Sequence, residues 1–333
     1  MSRFKNPFLV IIVLFLVLCG LTVLASNAGA MNFSFKTLWQ ASATDTDWQI
    51  WLNIRLPRIL IAILVGLALA VSGAIMQGLF RNPLADPSLL GISSGAALSV
   101  AAFIVFSISL PTVMQGYGHV AAAFVGSLTV SFIIFSLNRS SNGNLARLLL
   151  AGIAINALCM SFIGVLSYIS NDQQLRTFSL WMMGTLGNVD WTSLAIAASV
   201  ILPISVVCLA QGNKLNILQL GDEDAHYLGL NVERAKFILL FLSAMLVGCA
   251  VAMSGVIGFV GLVVPHLIRM TLGPDHRWLI PGSAIVGASL LLIADTIART
   301  AVAPAEIPVG LLTGLIGGPY FLWLILRQPA GKI

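Results

Sequence analysis

The chain has 333 residues, of which 58% are hydrophobic and 9% are charged, and its mean hydropathy is +0.98. Soluble domains contain about 45–50% apolar residues, so this composition excludes an ordinary soluble protein and predicts an integral membrane protein. The net charge of +5 comes from basic residues scattered between apolar segments. They form no patch of the kind that binds nucleic acid.

Ten apolar segments are candidates for transmembrane helices. A bilayer core about 30 Å thick requires about 20 residues per helix, because every backbone amide must be hydrogen-bonded within the span. The eighth segment is short and poorly separated from the seventh. We therefore predict one all-α membrane domain, residues 1–333, with about ten spans. In chain order these are Phe8–Ala25, Ile59–Leu79, Leu89–Leu110, Val120–Leu137, Leu148–Ile169, Leu194–Ala210, Phe237–Val256, Ile257–Met270, Leu279–Ile297 and Val309–Leu326.

The distribution of lysine and arginine predicts the orientation, because short cytoplasmic loops retain positive charge. With the N-terminus inside, five of the 17 basic residues lie outside, and the other twelve lie inside. Both termini are therefore predicted to be cytoplasmic. The five outer residues are Lys36, Arg55, Arg58, Arg176 and Arg299.

Sequence signatures of catalysis are missing. The chain has neither a GxxxxGK[ST] phosphate-binding loop nor an HExxH zinc motif. Its four cysteines fall singly in predicted spans, which indicates neither a disulfide framework nor a CxxC metal site. We expect no catalytic residue, metal site or cofactor in this chain.

The inner loop of about residues 212–235 contains an unusual cluster of acids, "LGDEDAHYLGL" at 220–230. On a helix, Asp222 and His226 share one face, but two ligands do not make a metal site. Acids in the first turn of a helix are favoured by its dipole, and Gly229 is suited to end that helix. Asn231 can cap a second helix that leads into the next span.

The first of these two short helices has a small apolar edge. Ala225 and Leu228 are three positions apart and would lie together on it. The edge could be presented to a partner protein, and the alternative is that the whole stretch is a solvated loop.

The same stretch resembles the Leu-Gly-x-x-x-Ala-x-x-Leu-Gly coupling loop of FecCD/BtuC-type permeases of bacterial ABC importers, which take up iron siderophores, haem and cobalamin. Further similarities to that family occur in the expected order over nearly the whole chain. They are "RLPRILIAILVGLALAVSGAIMQGLFRNPLADPSLLGISSGAAL", "RLLLAG", "GVIGFVGLVVPHLIRM", "DHRWLIPG" and "AEIPVGLLTGLIGGPYFLWLI".

The resemblance implies a BtuC-like homodimer in the bacterial inner membrane, with a pathway at the two-fold axis. Two separate ATPase subunits would carry ATP and Mg, and each would dock against a coupling loop. A periplasmic substrate-binding protein would deliver the cargo. The implied coupling residues are Leu220, Gly221, Asp222, Glu223, Asp224, Ala225, His226, Leu228 and Gly229.

The resemblance also gives the outer arginines a role. Arg55, Arg58 and Arg299 match positions that receive glutamates from the two lobes of the binding protein, and the planar guanidinium suits carboxylates. The alternative is that Arg58 and Arg299 snorkel at helix ends, with Arg299 paired to Asp295 one turn earlier.

Cytoplasmic gates of the family lie at the "NPLA" turn and in the loop before "RLLLAG". These positions correspond to Asn82, Leu84, Leu145 and Ala146. The alternative for "RNPLADP" is an ordinary turn, since two prolines and an asparagine end a helix for local reasons.

Within the family the chain is most similar to haem permeases, which implies haem as the cargo. The predicted spans contain few ionisable side chains, which suits a large and partly apolar cargo. A ferric siderophore or cobalamin is equally compatible with this pattern. A secondary transporter driven by an ion gradient fits less well, because Asp295 is the sole acid well inside a predicted span and lies toward its end.

Overall fold

The computed structural model describes residues 6–28, 45–107, 116–139, 145–187 and 189–327, and these residues fold as helices joined by short connections. A 3₁₀ turn, Pro87–Leu90, lies between the second and third helices. The helices are α1 Pro7–Asn27, α2 Thr46–Leu79, α3 Ile92–Val105, α4 Gly118–Arg139, α5 Leu145–Ile169, α6 Asp172–Met182, α7 Trp191–Ala210, α8 Gly212–Leu218, α9 Asp222–Tyr227, α10 Val232–Ser254, α11 Val260–Leu272, α12 His276–Thr300 and α13 Val309–Arg327.

The prediction of about ten apolar spans is confirmed within the described ranges. Seven helices are long and apolar enough to cross a membrane, namely α1, α2, α4, α5, α7, α10 and α12. Three shorter apolar helices, α3, α11 and α13, complete the set.

The second span begins earlier than predicted. Helix α2 starts at Thr46 and includes a π-helical turn at Trp51–Arg55, whereas the predicted span starts at Ile59. Hydropathy missed the first turns because Thr46–Arg58 contains polar and charged residues among its apolar ones. The arginines of "RLPR" consequently lie inside this helix, where its backbone fixes their spacing.

The predicted third and eighth spans also have different bounds. The predicted third span starts at Leu89, but helix α3 starts at Ile92. The residues before Ile92 form the 3₁₀ turn and Gly91, whose φ is +73°. The predicted end of this span, 108–110, lies outside the described residues. Helix α10 ends at Ser254 and α11 begins at Val260. The positive φ values of Gly255 and Phe259 are incompatible with a continuous α-helix across this segment.

Helix α2 lies at the centre of the bundle and is buried along most of its length. It packs closely against α10, α11 and α12. Small residues permit these approaches: a Cβ on Gly73 would lie 1.9 Å from the carbonyl oxygen of Gly261, and one on Gly66 would lie 2.3 Å from that of Gly287. Close contact of backbones at glycine is a common way to pack membrane helices. The interior of α2 is therefore held firmly by its neighbours.

Candidate functional site

The acidic stretch forms a short helix, as predicted. Helix α9, Asp222–Tyr227, has its three acids in the first turn and is followed by Gly229 with φ of +84°. The side chain of Asn231 accepts a hydrogen bond of 3.0 Å from the backbone N–H of Arg234 and so caps α10. The predicted helix, its end and the following cap are confirmed.

The predicted apolar edge of α9 is wrong in one residue. Ala225 is fully buried within the chain, because it lies on the face of α9 that packs against the rest of the protein. Leu228 is 61% exposed, as the prediction requires. The other exposed apolar side chains are Leu220 and Tyr227, the latter 84% exposed. The sequence analysis did not identify Tyr227 as a surface residue. The available signal was an aromatic side chain between a histidine and a leucine in a polar loop.

The three acids of α9 have different surroundings. Asp222 forms ion pairs with both Arg81 and Lys236, whereas Glu223 and Asp224 are exposed and make no side-chain ion pair in the described part of the chain. Burial would raise the pKa of the Asp222 carboxyl, but the hydrogen bonds and charges of Lys236 and Arg81 lower that pKa below its usual value. Asp222 is thus paired with two cations of the permease although its side chain is 48% exposed, whereas the other two acids have no such partner in the described residues.

His226 is exposed beside these acids. Within the described residues, no group of three or more His, Cys, Asp or Glu side chains is placed to hold a metal ion. The α9 surface places exposed apolar side chains next to exposed charges.

The residues after α2 form a compact turn. The backbone N–H of Arg81 donates to Gly78, and that of Asn82 donates to Gln77, at 3.3 and 3.2 Å. This is the Schellman pattern, with Arg81 in the left-handed position at φ of +50°. Glycine usually occupies that position.

The gate candidates lie in the turn after α2 and at the start of α5. Asn82 accepts a hydrogen bond of 2.9 Å at its Oδ1 from the backbone N–H of Leu84, and both belong to the turn after α2. Leu145 and Ala146 are the first residues of α5. The local alternative, a turn set by its own hydrogen bonds, is present in the structure, and the gate role stays a prediction.

In the first half of α2, far from this turn, Arg58 is the centre of an ion network. Its Nε donates to the two carboxylate oxygens of Asp295 at 3.0 and 3.2 Å, and its Nη2 donates to Asp295 at 2.9 Å. Its Nη1 donates to both carboxylate oxygens of Glu306, at 2.8 and 2.9 Å. Asp295 is fully buried, and the Glu306 side chain is 49% exposed. Sequence analysis did not identify Glu306.

The other two outer arginines hold the end of α1. The Nη1 of Arg55 donates to the carbonyl oxygens of Ser26 and Asn27, each at 3.2 Å. The Nη2 of Arg299 donates to the carbonyl oxygen of Ala25, and its Nε lies 3.7 Å from Asp295. These bonds satisfy carbonyls that a helix end leaves without partners.

The structure therefore brings the three outer arginines, Arg55, Arg58 and Arg299, to one end of the bundle and buries them. The contact between Arg299 and Asp295 that was given as an alternative is formed. Binding-protein docking by these residues stays a prediction. Arg58 lies within α2 and Arg81 follows its last residue, Leu79, so the two arginines are separated by 21 residues of helix.

Comparison with known proteins agrees with this architecture. The model of the FecCD transport family matches residues 11–327. The chain is 65% identical over 323 residues to the hemin transport system permease protein HmuU of Yersinia pestis, covering 97% of each chain. It is 42% identical to the cobalamin import system permease protein BtuC of Halobacterium salinarum, covering 89% of this chain and 78% of that one.

A solved structure has the same fold. It is a metal-chelate type ABC transporter in an inward-facing conformation, with a TM-score of 0.87 and 33% sequence identity over 96% of this chain and 99% of that one. The protein has several apolar helices long enough to cross a bilayer and matches a transport family. It is therefore a multi-pass membrane protein. The chain belongs to the FecCD transport family.

Proposed function

We propose that this chain is the permease subunit of an ATP-driven importer that moves haem from the periplasm to the cytoplasm. The observation that carries the proposal is the 65% identity, over nearly the full chain, to a hemin permease. The cobalamin permeases that match share 38–43% identity. This difference favours haem over cobalamin, which is the second candidate cargo, and a ferric siderophore is the third.

The proposal includes the assembly implied by the sequence. Two copies of the chain form the pathway in the bacterial inner membrane with their termini in the cytoplasm. ATP and Mg bind to two separate ATPase subunits, and a periplasmic protein delivers the cargo. Support for a separate ATPase comes from family membership and from the missing phosphate-binding motif in the sequence.

The proposed ATPase contact is the exposed surface of the stretch 220–230. Leu220, Tyr227 and Leu228 provide exposed apolar area, and Glu223 and Asp224 provide charge at its edge. An apolar centre beside polar residues is the usual composition of a protein interface. Ala225 is buried and the carboxylate of Asp222 is paired with Arg81 and Lys236, so we propose that these two residues support the shape of the contact.

The proposed binding-protein contact is the end of the bundle that contains Arg55, Arg58 and Arg299. Arginine pairs with carboxylates in a fixed, two-pronged geometry. Arg58 already has two carboxylate partners, of which Glu306 is the exposed one. A glutamate of the binding protein that reaches Arg58 would therefore replace Glu306, and the buried Asp295 would keep its place. The gate candidates Asn82, Leu84, Leu145 and Ala146 are proposed to close the pathway at the other end.

The decisive experiment is uptake into proteoliposomes that contain the permease, its ATPase and its binding protein. Haem, cobalamin and a ferric siderophore are offered separately, with and without ATP. Haem accumulation that requires ATP is the expected result. Cobalamin or siderophore accumulation in preference to haem would contradict the cargo, and accumulation driven by a proton gradient without nucleotide would contradict the ATP-driven mechanism.

A further inference from the structure

Helix α9 is joined to the end of α2 by a cluster of charged side chains, Arg81, Asp222 and Lys236, which we call the inner triad. We infer that the inner triad is the positioning element that transmits movement of α9 to the turn after α2. This inference rests on the proposed function, because it assigns to these residues the coupling between the ATPase and the pathway.

The first observation is that Asp222 is shared. One carboxylate oxygen accepts a hydrogen bond from Arg81 and the other accepts one from Lys236. Arg81 follows α2, Lys236 belongs to the first part of α10, and the Lys236 side chain is almost completely buried. One carboxylate thus connects the short surface helix to two long helices of the bundle.

Two further hydrogen bonds join the end of α2 to the segment that leads into α9. The Nε of Arg81 donates to the carbonyl oxygen of Leu218 at 2.7 Å, at the end of α8. The Nε2 of Gln219 donates to the carbonyl oxygen of Gly78 at 2.6 Å, in the last turn of α2. This segment is therefore bonded to α2 in both directions, and α9 itself is bonded to the same end of α2 through Asp222 and Arg81.

The backbone conformation of Arg81 allows the contribution of its side chain to be separated from that of the turn. Its φ of +50° is in the left-handed region, where L-residues are disfavoured and glycine is the usual helix-ending residue. An arginine here carries a conformational penalty that glycine would not, and its guanidinium bonds offset that penalty. Replacing Arg81 with glycine therefore separates the side chain from the backbone, since glycine keeps the turn and removes the link.

The link ends at the proposed gate. Asn82 and Leu84 follow Arg81 directly, and their turn is closed by the hydrogen bond between Asn82 and the N–H of Leu84. A displacement of α9 that is transmitted through Arg81 would reach these residues within three positions of chain. The inner triad thus gives a physical path of bonded groups from the ATPase contact to the cytoplasmic mouth.

The test uses the complete transporter in proteoliposomes with three variants. Asp222→Asn preserves the side-chain shape and removes the charge, and Arg81→Gly preserves the turn and removes the guanidinium. Glu233→Gln is the matched control, because Glu233 is an exposed acid on α10 that makes no ion pair in the described part of the chain. Three quantities are measured: co-purification of the ATPase, ATP hydrolysis, and haem taken up per ATP hydrolysed.

Asp222→Asn and Arg81→Gly are expected to retain the ATPase and to hydrolyse ATP, while uptake per ATP falls at least about fivefold, the lower range of coupling between distant sites. The double variant should lose less than the two single losses combined, because the ion pair between Arg81 and Asp222 is removed in each of them. Glu233→Gln should match the parent, and Asp222→Glu should recover part of the coupling.

Two results would overturn the inference: parental uptake per ATP in both single variants, or a loss in Glu233→Gln as large as in Asp222→Asn. Failure of the proposed function is a different result, since the unmodified chain would then fail to retain an ATPase or to take up cargo with ATP. A merely structural role of the inner triad would lower ATPase retention and hydrolysis together with uptake, and that outcome also contradicts the inference.

Discussion

Removal of the Asp295 carboxylate is expected to be among the most destabilising single changes in this protein. Its oxygens accept three hydrogen bonds from Arg58 at 2.9–3.2 Å and lie 3.7 Å from Arg299, and the side chain is fully buried. Asp295→Asn keeps the shape but leaves two buried guanidinium groups without their shared counter-charge. Breaking one partner of a buried ion pair costs about 3–5 kcal/mol.

For Asp295→Asn we expect the free energy of unfolding to fall by the lower end of that range, about 3 kcal/mol, because Arg58 keeps Glu306 as a partner. The measurement is unfolding of the purified chain in detergent, by denaturant titration followed by the fluorescence of its seven tryptophans. Glu306→Gln is the control, since its half-exposed carboxylate is screened by water and should contribute about 1 kcal/mol or less. An equal fall in the free energy of unfolding in the two variants would refute the reasoning, as would a fall below about 1 kcal/mol in Asp295→Asn.

Three further outcomes are expected. Gly73→Ala should destabilise the chain by about 1–3 kcal/mol, because the added Cβ would meet the backbone of Gly261. Gly20→Ala is the control, since a Cβ there meets nothing within 4 Å and should not destabilise the chain. The two variants are compared by thermal unfolding in detergent. Because the folded pKa of Asp222 is lowered, its contribution to stability is present above the unfolded value of about 3.9 and is lost as pH falls through the folded value. Unfolding measured between neutral and acidic pH should show this loss, and the loss should be smaller in Asp222→Asn. Tyr227→Ala should weaken retention of the ATPase without lowering the stability of the permease, because the side chain is 84% exposed; unchanged co-purification would argue against the proposed contact.

Most of the fold could be predicted from hydropathy, because each span must bury its own backbone bonds and be apolar over its length. The errors lie where another effect decides the boundary. Helix α2 continues through the polar residues before Ile59 because its side chains there have partners inside the protein. The break between α10 and α11 depends on positive φ values at Gly255 and Phe259, which no apolar average detects.

The sites were predictable to a smaller extent. The spacing of Gly229 and Asn231 indicated the end of one helix and the cap of the next, because these are local effects of the chain. The direction in which a side chain of α9 points depends on tertiary packing, and for this reason Ala225 was wrongly placed on the surface. The partners of Arg58 and Asp222 are distant in sequence. A single sequence contains no periodic signal for such pairs.

Helix α2 connects the two ends at which this protein is proposed to meet its partners. From Arg58 to its last residue, Leu79, it rises about 32 Å at 1.5 Å per residue, close to the thickness of the bilayer core, and Arg81 follows directly after. Each arginine is bonded to other elements: Arg58 to Asp295 and Glu306, and Arg81 to Leu218 and Asp222. Between these two clusters α2 is an α-helix from Leu56 to Leu79 that packs closely against its neighbours. The surfaces at which the binding protein and the ATPase are proposed to dock are thus joined by one buried helical segment.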